Sequence, residues 1–350
     1  MIDNRRLINP SIYEMPMKRV VMNIFRIGIS VGLLSYLIYR ADVSKIYQTL
    51  RMADYGYVAL ATGIFFLAIA LFSLRWKLLL RNIPQSPGLL HLMAYYLIGL
   101  FFNNFLPTTV GGDITRAYNA ARENGERRAN LGIVILERML GTLTTLTLAS
   151  ISLIWATRYF HTRRIIWITV ACLGMVVFLL WNLWNPALHR FLQPLLEKIT
   201  AFSLGERLNG VLQGIYRLRE SRNAILGALG LSLISQLLLI YMNYLLARAL
   251  GLEKVTLSYL LLVVPITFVM GLIPSINGLG VRDTGYVVLL ARIGLSSAEA
   301  LSLSFLNTLM PLLYSVVGGI LHLFLGHGVK QSLENAQSSG RVTVSPEEVK

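Results

Sequence analysis

Twice in this chain a membrane-length hydrophobic run breaks into proline, glycines and opposed charges, and then resumes as an apolar helix. The first break reads Phe102-Asn103-Asn104-Phe105-Leu106-Pro107-Thr108-Thr109-Val110-Gly111-Gly112-Asp113-Ile114-Thr115-Arg116. The second reads Gly271-Leu272-Ile273-Pro274-Ser275-Ile276-Asn277-Gly278-Leu279-Gly280-Val281-Arg282-Asp283. Pro107 aligns with Pro274, Thr108 with Ser275 and Gly111 with Gly278. In hydrocarbon every backbone N–H and C=O needs a partner, so irregular backbone at membrane depth survives only where protein or a water-filled cavity supplies one. Paired interruptions in corresponding halves of a chain point to a binding site of the transporter kind.

Composition sets the class. The chain is 55% hydrophobic and 14% charged, with a mean hydropathy of +0.61, whereas a soluble domain carries about 25% charged residues. An integral membrane protein follows. The net charge of +15 does not imply nucleic acid, because the Lys and Arg are scattered through short loops between apolar runs, as suits loops beside anionic lipid headgroups. Cys172 stands alone, which excludes an intramolecular disulfide and a cysteine-based metal cage; in its apolar run it reads as a small buried hydrophobe. Arg5, Arg6, Lys18 and Arg19 precede the apolar run 20–39. That run is too long for a signal peptide's apolar core, and Arg40-Ala41-Asp42 after it forms no cleavage site, so a retained first transmembrane helix is expected.

Counting runs of about 20 apolar residues predicts spans near 20–39, 57–74, 89–106, 130–156, 165–184, 223–247, 257–273 and 298–325. Segments 108–122 and 275–292 are too short or too polar to cross alone, which predicts re-entrant helices. If the second crosses after all, the span count rises by one. The expected fold is thus all-α: a polytopic transmembrane helix bundle of about eight spans with two re-entrant helices and an internal repeat. Each copy, near 89–157 and 257–325, would comprise a break, a short helix, a polar joint and a long apolar helix rich in small residues, which let membrane helices pack backbone to backbone. Between spans five and six, apolar residues recur at three-and-four spacing, which predicts amphipathic helices near 187–220 in the headgroup plane; packing onto the membrane domain and direct lipid handling both remain open for them. Residues 1–19 read as a cytoplasmic tail, 20–329 as the transmembrane domain and 330–350 as a disordered tail. Basic residues, Arg75, Lys77 and Arg81 among those assigned to inside loops, divide almost evenly between the two sides and favour an inside N-terminus only slightly.

Chemistry concentrates at the breaks. Glycine permits positive φ and close backbone approach, and the helix that follows begins with unpaired N–H groups at a partially positive end. Two such starts, at Gly111–Gly112 and Gly278–Gly280, could converge on one phosphate or phosphodiester; equally, Asp113 or Thr115 could merely cap a helix. Asp113 and Arg116 lie three apart and can pair on one helical face, whereas the neighbours Arg282 and Asp283 must find partners on other elements. An unpaired charge at mid-bilayer costs roughly 3 kcal/mol, so these groups must be paired, hydrated or near the interface. Two roles are open to them: a salt-bridge lock across the two breaks, or contact of Arg116 or Arg282 with a lipid phosphate, which guanidinium matches bidentately. Glu137 and Arg138 lie inside span four and, being consecutive, cannot share one partner. Glu137 would neutralise one of the arginines or carry a proton. Asn103 and Asn104 would line the cavity or cap exposed backbone.

The search for enzyme chemistry is short. The histidines form no H-E-x-x-H pattern, and there is no Walker A motif, no G-x-S-x-G and no dinucleotide fingerprint. No catalytic residue, metal site or cofactor is expected, and no enzyme activity.

The run Asn103-Asn104-Phe105-Leu106-Pro107 leading to Gly111-Gly112-Asp113-x-x-Arg116, then Glu137-Arg138-x-x-Gly141, Gly278-x-Gly280-x-Arg282-Asp283 and Gly318-Gly319, resembles the transmembrane region of lysylphosphatidylglycerol synthases, also called the UPF0104 family. The resemblance spans about 20–325. Two positions depart from the family pattern: Asp283 stands where Glu is usual, and Glu137-Arg138 where Asp-Arg is frequent. Both keep the charge and alter the reach. The resemblance implies a multi-pass protein of the bacterial inner membrane, related to the half of a synthase that moves aminoacylated phosphatidylglycerol between leaflets. Aminoacyl transfer belongs to a soluble domain of the full synthase, so this chain would move a lipid rather than make one. The expected function is a lipid flippase or transporter, with phospholipids or lipid-linked saccharides as partners. The alternatives are a membrane scaffold for a lipid-modifying enzyme, or a transferase acting on polyprenyl-phosphate lipids. Asn103, Asn104, Gly111, Gly112, Asp113, Arg116, Glu137, Arg138, Gly278, Gly280, Arg282 and Asp283 are the expected substrate-binding residues.

Overall fold

The computed structural model describes residues 43–105, 111–156, 222–271 and 278–338, with Gly174 as an isolated residue between them. Among the described residues the chain is helical throughout, without strands. The helices are α1 (Val43–Arg51), α2 (Tyr55–Leu79), α3 (Leu89–Phe105), α4 (Gly111–Asn124), α5 (Arg127–Ala156), α6 (Arg222–Ala249), α7 (Leu257–Met270), α8 (Val281–Leu290) and α9 (Ser297–Ser338). The expected spans 20–39 and 165–184, the interfacial helices of 187–220, and the prolines of both breaks lie outside the described residues.

Among the described residues, four helices are long and apolar enough to cross a membrane: Tyr55–Asn82 (the 3-10 turn after α2 included), Arg127–Ser152, Asn223–Ala249 and Ser297–Phe324. Their apolar side chains point outward as well as inward. Leu60, Phe66 and Leu67 on α2 and Val316, Ile320 and Leu323 on α9 are exposed, as expected of helices that face lipid. Of the two expected spans that run into the breaks, the second ends earlier than the sequence reading. Leu89–Asn104 and Leu257–Met270 are shorter apolar helices, and at 1.5 Å per residue the latter, with 14 residues, covers only about 21 Å of a core of about 30 Å. α7 stops at Met270, where the second break begins. The helix after the second break, α8, has 10 residues and is shorter than the segment assigned to it. At the other end α9 continues to Ser338, so the start of the polar tail is helical rather than disordered. A helix already nucleated in its apolar part propagates through good helix formers such as Gln, Leu, Glu and Ala at small cost.

Local chemistry explains the element ends. Asp54 caps α2 by accepting the N–H of Gly56 at 2.7 Å, and Thr256 caps α7 by accepting the N–H of Tyr259 at 3.3 Å. Along α5 the hydroxyls of Thr144, Thr145, Thr147, Ser150 and Ser152 each bond the carbonyl four residues back, which satisfies them inside an apolar environment.

Among the described residues, packing forms two large cores. One joins Trp76, Leu79, Leu92, Ala117, Ala120, Leu136, Leu140 and Ala228 around α4. The other joins Ile240, Tyr259, Val263, Tyr286, Leu290, Leu303 and Met310 around α8. The helix entering each break packs on the long helix that follows the other break: α3 lies along α9, and α7 along α5. Each short helix is thereby set beside a space between the two cores.

Candidate functional site

The first turn of α4 carries the Asp113–Arg116 pair, and the pairing expected from their spacing is present. Arg116 Nε and Nη2 each lie 3.1 Å from Asp113 Oδ1. Arg116 Nη1 lies 2.5 Å from Glu137 Oε2 on α5, and the other Glu137 oxygen accepts from Arg75 Nη2 on α2 at 2.7 Å. Arg138 Nη1 donates to Asp113 Oδ2. Charges thus alternate along Arg75, Glu137, Arg116, Asp113 and Arg138, across α2, α4 and α5. Glu137 is fully buried and sits about 15 Å along α5, where an ion persists only when paired and hydrogen-bonded. The consecutive residues Glu137 and Arg138 do take different partners: Glu137 pairs with Arg116 on α4 and Arg75 on α2, and Arg138 with Asp113 on α4.

Aromatic rings and small residues hold this chain in place. The Arg116 guanidinium lies 5.1 Å from the Trp76 ring and 4.9 Å from that of Tyr96, close enough for cation–π attraction. Arg75 Nη1 donates to the Ser232 hydroxyl of α6 at 2.7 Å. A Cβ at Gly141 would stand 3.2 Å from that same nitrogen, so the bare glycine leaves room for the guanidinium. Ser232→Ala removes a hydrogen bond to a charged group and should lower stability by about 1.5 kcal/mol. Thermal unfolding in detergent checks this, and an unchanged midpoint would contradict it.

The second break is built differently. Gly280 adopts φ +80°, a left-handed conformation suited to glycine, and its N–H donates to Asp283 Oδ2 at 2.8 Å. Asp283 Oδ1 accepts from the Ser304 hydroxyl, and Arg282 Nη2 donates to the Thr308 hydroxyl. Arg282 and Asp283 therefore point to different partners, as expected, though both partners belong to α9. Among the described residues no ion pair joins the two breaks, because Asp113 uses both oxygens on Arg116 and Arg138. The expected cross-break lock is absent there. The expected backbone donors also need correction. The Gly112 N–H donates to Asn103 Oδ1 at 2.9 Å and the Gly280 N–H to Asp283, so neither is open to a ligand in this conformation.

A cavity of about 450 Å³ lies between the breaks. Its charged wall is Arg75, Arg116, Arg138, Arg282 and Asp113, with Tyr96, Asn103, Thr142 and Gln236 as polar neighbours and Phe72, Leu239 and Phe268 as apolar ones. Of the expected residues, Asn103, Asp113, Arg116, Arg138, Gly278 and Arg282 line it. Glu137 lies behind the wall, bridging two of its arginines. Gly112, Gly280 and Asp283 shape the helix starts, and Asn104 and Gly111 are off the wall. Sequence reasoning missed Arg75, which it placed in an inside loop. The structure buries it in α2 with 5% exposure. The signal was present, since Trp76, Leu78, Leu79 and Leu80 resume the apolar run directly after it. Tyr96 and Gln236 were also missed. No group of three potential metal-ligating His, Cys, Asp or Glu residues occurs among the described residues.

The profile of the lysylphosphatidylglycerol synthase TM region family matches residues 23–318. A UPF0104 membrane protein of Methanothermobacter thermautotrophicus is 26% identical over 88% of this chain and 96% of its own length. UPF0104 membrane proteins of Pyrococcus horikoshii and Methanocaldococcus jannaschii are 21% and 23% identical, over 84% and 81% of this chain and 95% and 88% of theirs. All three are archaeal, so they do not support the bacterial inner membrane that the resemblance implied. What they share with this chain is membrane character over nearly its full length. The matched stretch contains both interrupted helices and the alternating charge chain, and on that extent the chain belongs to the lysylphosphatidylglycerol synthase TM region family of integral membrane proteins.

Proposed function

We propose that this chain is a lipid transporter that moves a lipid with an anionic or modified headgroup from one leaflet to the other, the headgroup passing through the arginine-lined cavity while the acyl chains stay in the bilayer. One observation carries this reading: four arginines line one cavity with a single carboxylate. Guanidinium is weakly hydrated and matches phosphate bidentately, and a polar space inside an apolar bundle lowers the cost of bringing a headgroup to membrane depth. The volume of about 450 Å³ corresponds to roughly 15 waters at about 30 Å³ each, which suits a headgroup better than a whole diacyl lipid. The family's name and the UPF0104 relatives agree with a lipid-related membrane role. No bond-making step is assigned to the chain, and its partners under this reading are phospholipids or lipid-linked saccharides.

Reconstitution tests it. Proteoliposomes containing the purified protein should exchange fluorescent phosphatidylglycerol or a lipid-linked saccharide between leaflets faster than protein-free vesicles, with or without an imposed ion gradient. Exchange no faster than in empty vesicles under every gradient would overturn the transporter reading and favour a scaffold for a lipid-modifying enzyme.

A further inference from the structure

The short helix α8 carries Arg282 to the cavity, yet little in its own sequence fixes where it stands. It has 10 residues, below the length of about 12–15 at which an isolated helix holds together, so its rotation and depth must be set by its neighbours. Two contacts lie at its start, Asp283 with Ser304 and Arg282 with Thr308. Another lies one turn further on and has a different character. The Tyr286 hydroxyl donates to Asn243 Oδ1 on α6 at 2.7 Å and accepts from Asn307 Nδ2 on α9 at 3.2 Å, while Asn243 Nδ2 donates to Asn307 Oδ1 at 3.3 Å. Side chains from α6, α8 and α9 thus close a ring. Tyr286 is fully buried and Asn243 nearly so. Asn243 Nδ2 also donates to the carbonyl of Leu239 at 2.9 Å, and Leu239 belongs to the cavity wall.

A ring of this kind sets position more than it adds stability. Hydrogen bonds between membrane helices stabilise little on average, because the separated helices find other partners, and apolar side chains of similar size can replace a bonded set at little cost. Its effect lies in what it penalises. Turning α8 by one residue, or sliding it along α9, breaks the whole ring at once and leaves buried donors and acceptors unpaired, which costs more than the bonds themselves contribute. Arg282 lies four residues before Tyr286, so the two project from the same side of α8. At a side-chain radius of about 5–6 Å, a rotation of about 20° moves the guanidinium by about 2 Å, and a misplacement of about 1 Å already disables a positioned group. At the first break the same task falls to ion pairs, since Arg116–Glu137 and Asp113–Arg138 hold α4 to α5.

We infer that Tyr286, Asn243 and Asn307 are positioning residues: their ring sets the rotation of α8 and thereby aims Arg282 into the cavity. The functional meaning of that aim rests on the reading of the cavity as the site of passage, whereas the placement of Arg282 can be read without any transport.

The test follows the arginine directly. Purified full-length protein in nanodiscs of phosphatidylcholine is treated with phenylglyoxal, and modification of Arg282 is measured by peptide mass spectrometry relative to Arg138, a cavity arginine on α5. Thr308→Val removes the hydroxyl that Arg282 bonds and calibrates the response. Combining Tyr286→Phe, Asn243→Leu and Asn307→Leu replaces the ring by apolar groups. That variant should keep the wild-type thermal midpoint and raise the Arg282-to-Arg138 labelling ratio at least threefold. Tyr286→Phe alone opens the ring but leaves the Asn243–Asn307 bond, so it should raise the ratio by a smaller factor, and it decides the matter if the combined variant does not fold. An unchanged ratio in a folded variant would overturn the inference whether or not the midpoint falls, because a ring that served stability alone would lower the midpoint without redirecting Arg282. In the exchange assay the ring variant and Arg282→Gln should slow transport equally, and together no further than either alone. Additive slowing would show that the ring does not act through Arg282, which also overturns the inference. If wild-type protein exchanges no lipid, the transporter reading fails while the labelling ratio still decides this one.

Discussion

Glu137→Gln should lower folding stability by about 3–5 kcal/mol, the range measured when one member of a buried ion pair is removed. Glu137 is fully buried, and its two oxygens hold Arg75 at 2.7 Å and Arg116 at 2.5 Å. Glutamine keeps the volume but offers one acceptor, and its NH₂ group would face a guanidinium. Among the described residues the surrounding charges would then be four arginines against two carboxylates, with Arg75, Arg116 and Asp283 buried. The effect should fall on the join between α2, α4 and α5, since these are the helices the carboxylate ties together. Thermal unfolding in detergent, with the yield of monodisperse protein, provides the measurement. Adding Arg75→Gln to Glu137→Gln should recover part of the loss, because the second substitution removes the stranded cation. A Glu137→Gln protein as stable as wild type would mean that the pairings are not made in the folded protein.

The contrast between Glu137 and Arg75 marks how far the sequence could be read. Asp113 and Arg116 were legible because their pairing depends only on helical spacing, which is local. The long helices α2, α5, α6 and α9 were legible for the same reason, as runs of apolar residues near membrane length. Arg75 was not, because a charge near the end of an apolar run looks like the start of a loop, and only the partner carboxylate on α5 shows why the helix continues past it. The length of α7 depends on where the second break begins to bend, which the hydrophobic run alone overestimated. At the helix starts, open N–H groups were a sound general expectation, but a side chain folding back onto them is a tertiary choice. The Gly-x-x-Asp spacing of Gly280 and Asp283 did carry a capping signal. Asn103 was expected to line the cavity or to cap exposed backbone, and it does both, reaching the Gly112 N–H from the other side of the break. The cavity itself is a product of the arrangement in which α3 lies on α9 and α7 on α5, which no single stretch of sequence specifies.

That arrangement depends on backbone contact at Gly318, and its substitution is expected to have the second large effect. A Cβ there would overlap the carbonyl of Leu97 on α3 and stand 2.9 Å from the Ile98 nitrogen. Gly319 beside it covers the Phe101 ring, with a Cβ position 2.7 Å from the nearest ring carbon. Backbone cannot rotate aside as a side chain can, so α9 and α3 must separate. Gly318→Ala should therefore cost about 3 kcal/mol, the upper part of the range for overpacking. Because α3 carries Tyr96 and Asn103 of the cavity wall, the same change should also slow any leaflet exchange. The control is Gly63 on α2, where a Cβ meets no atom within 4 Å. There the identical substitution relieves glycine's conformational entropy and should stabilise by about 0.5–1 kcal/mol. One chemical change with opposite signs at two positions isolates the helix contact from any general effect of removing glycine. If the two substitutions shift the unfolding midpoint in the same direction, then α3 and α9 do not meet backbone to backbone, and the wall they form for the cavity must be placed elsewhere.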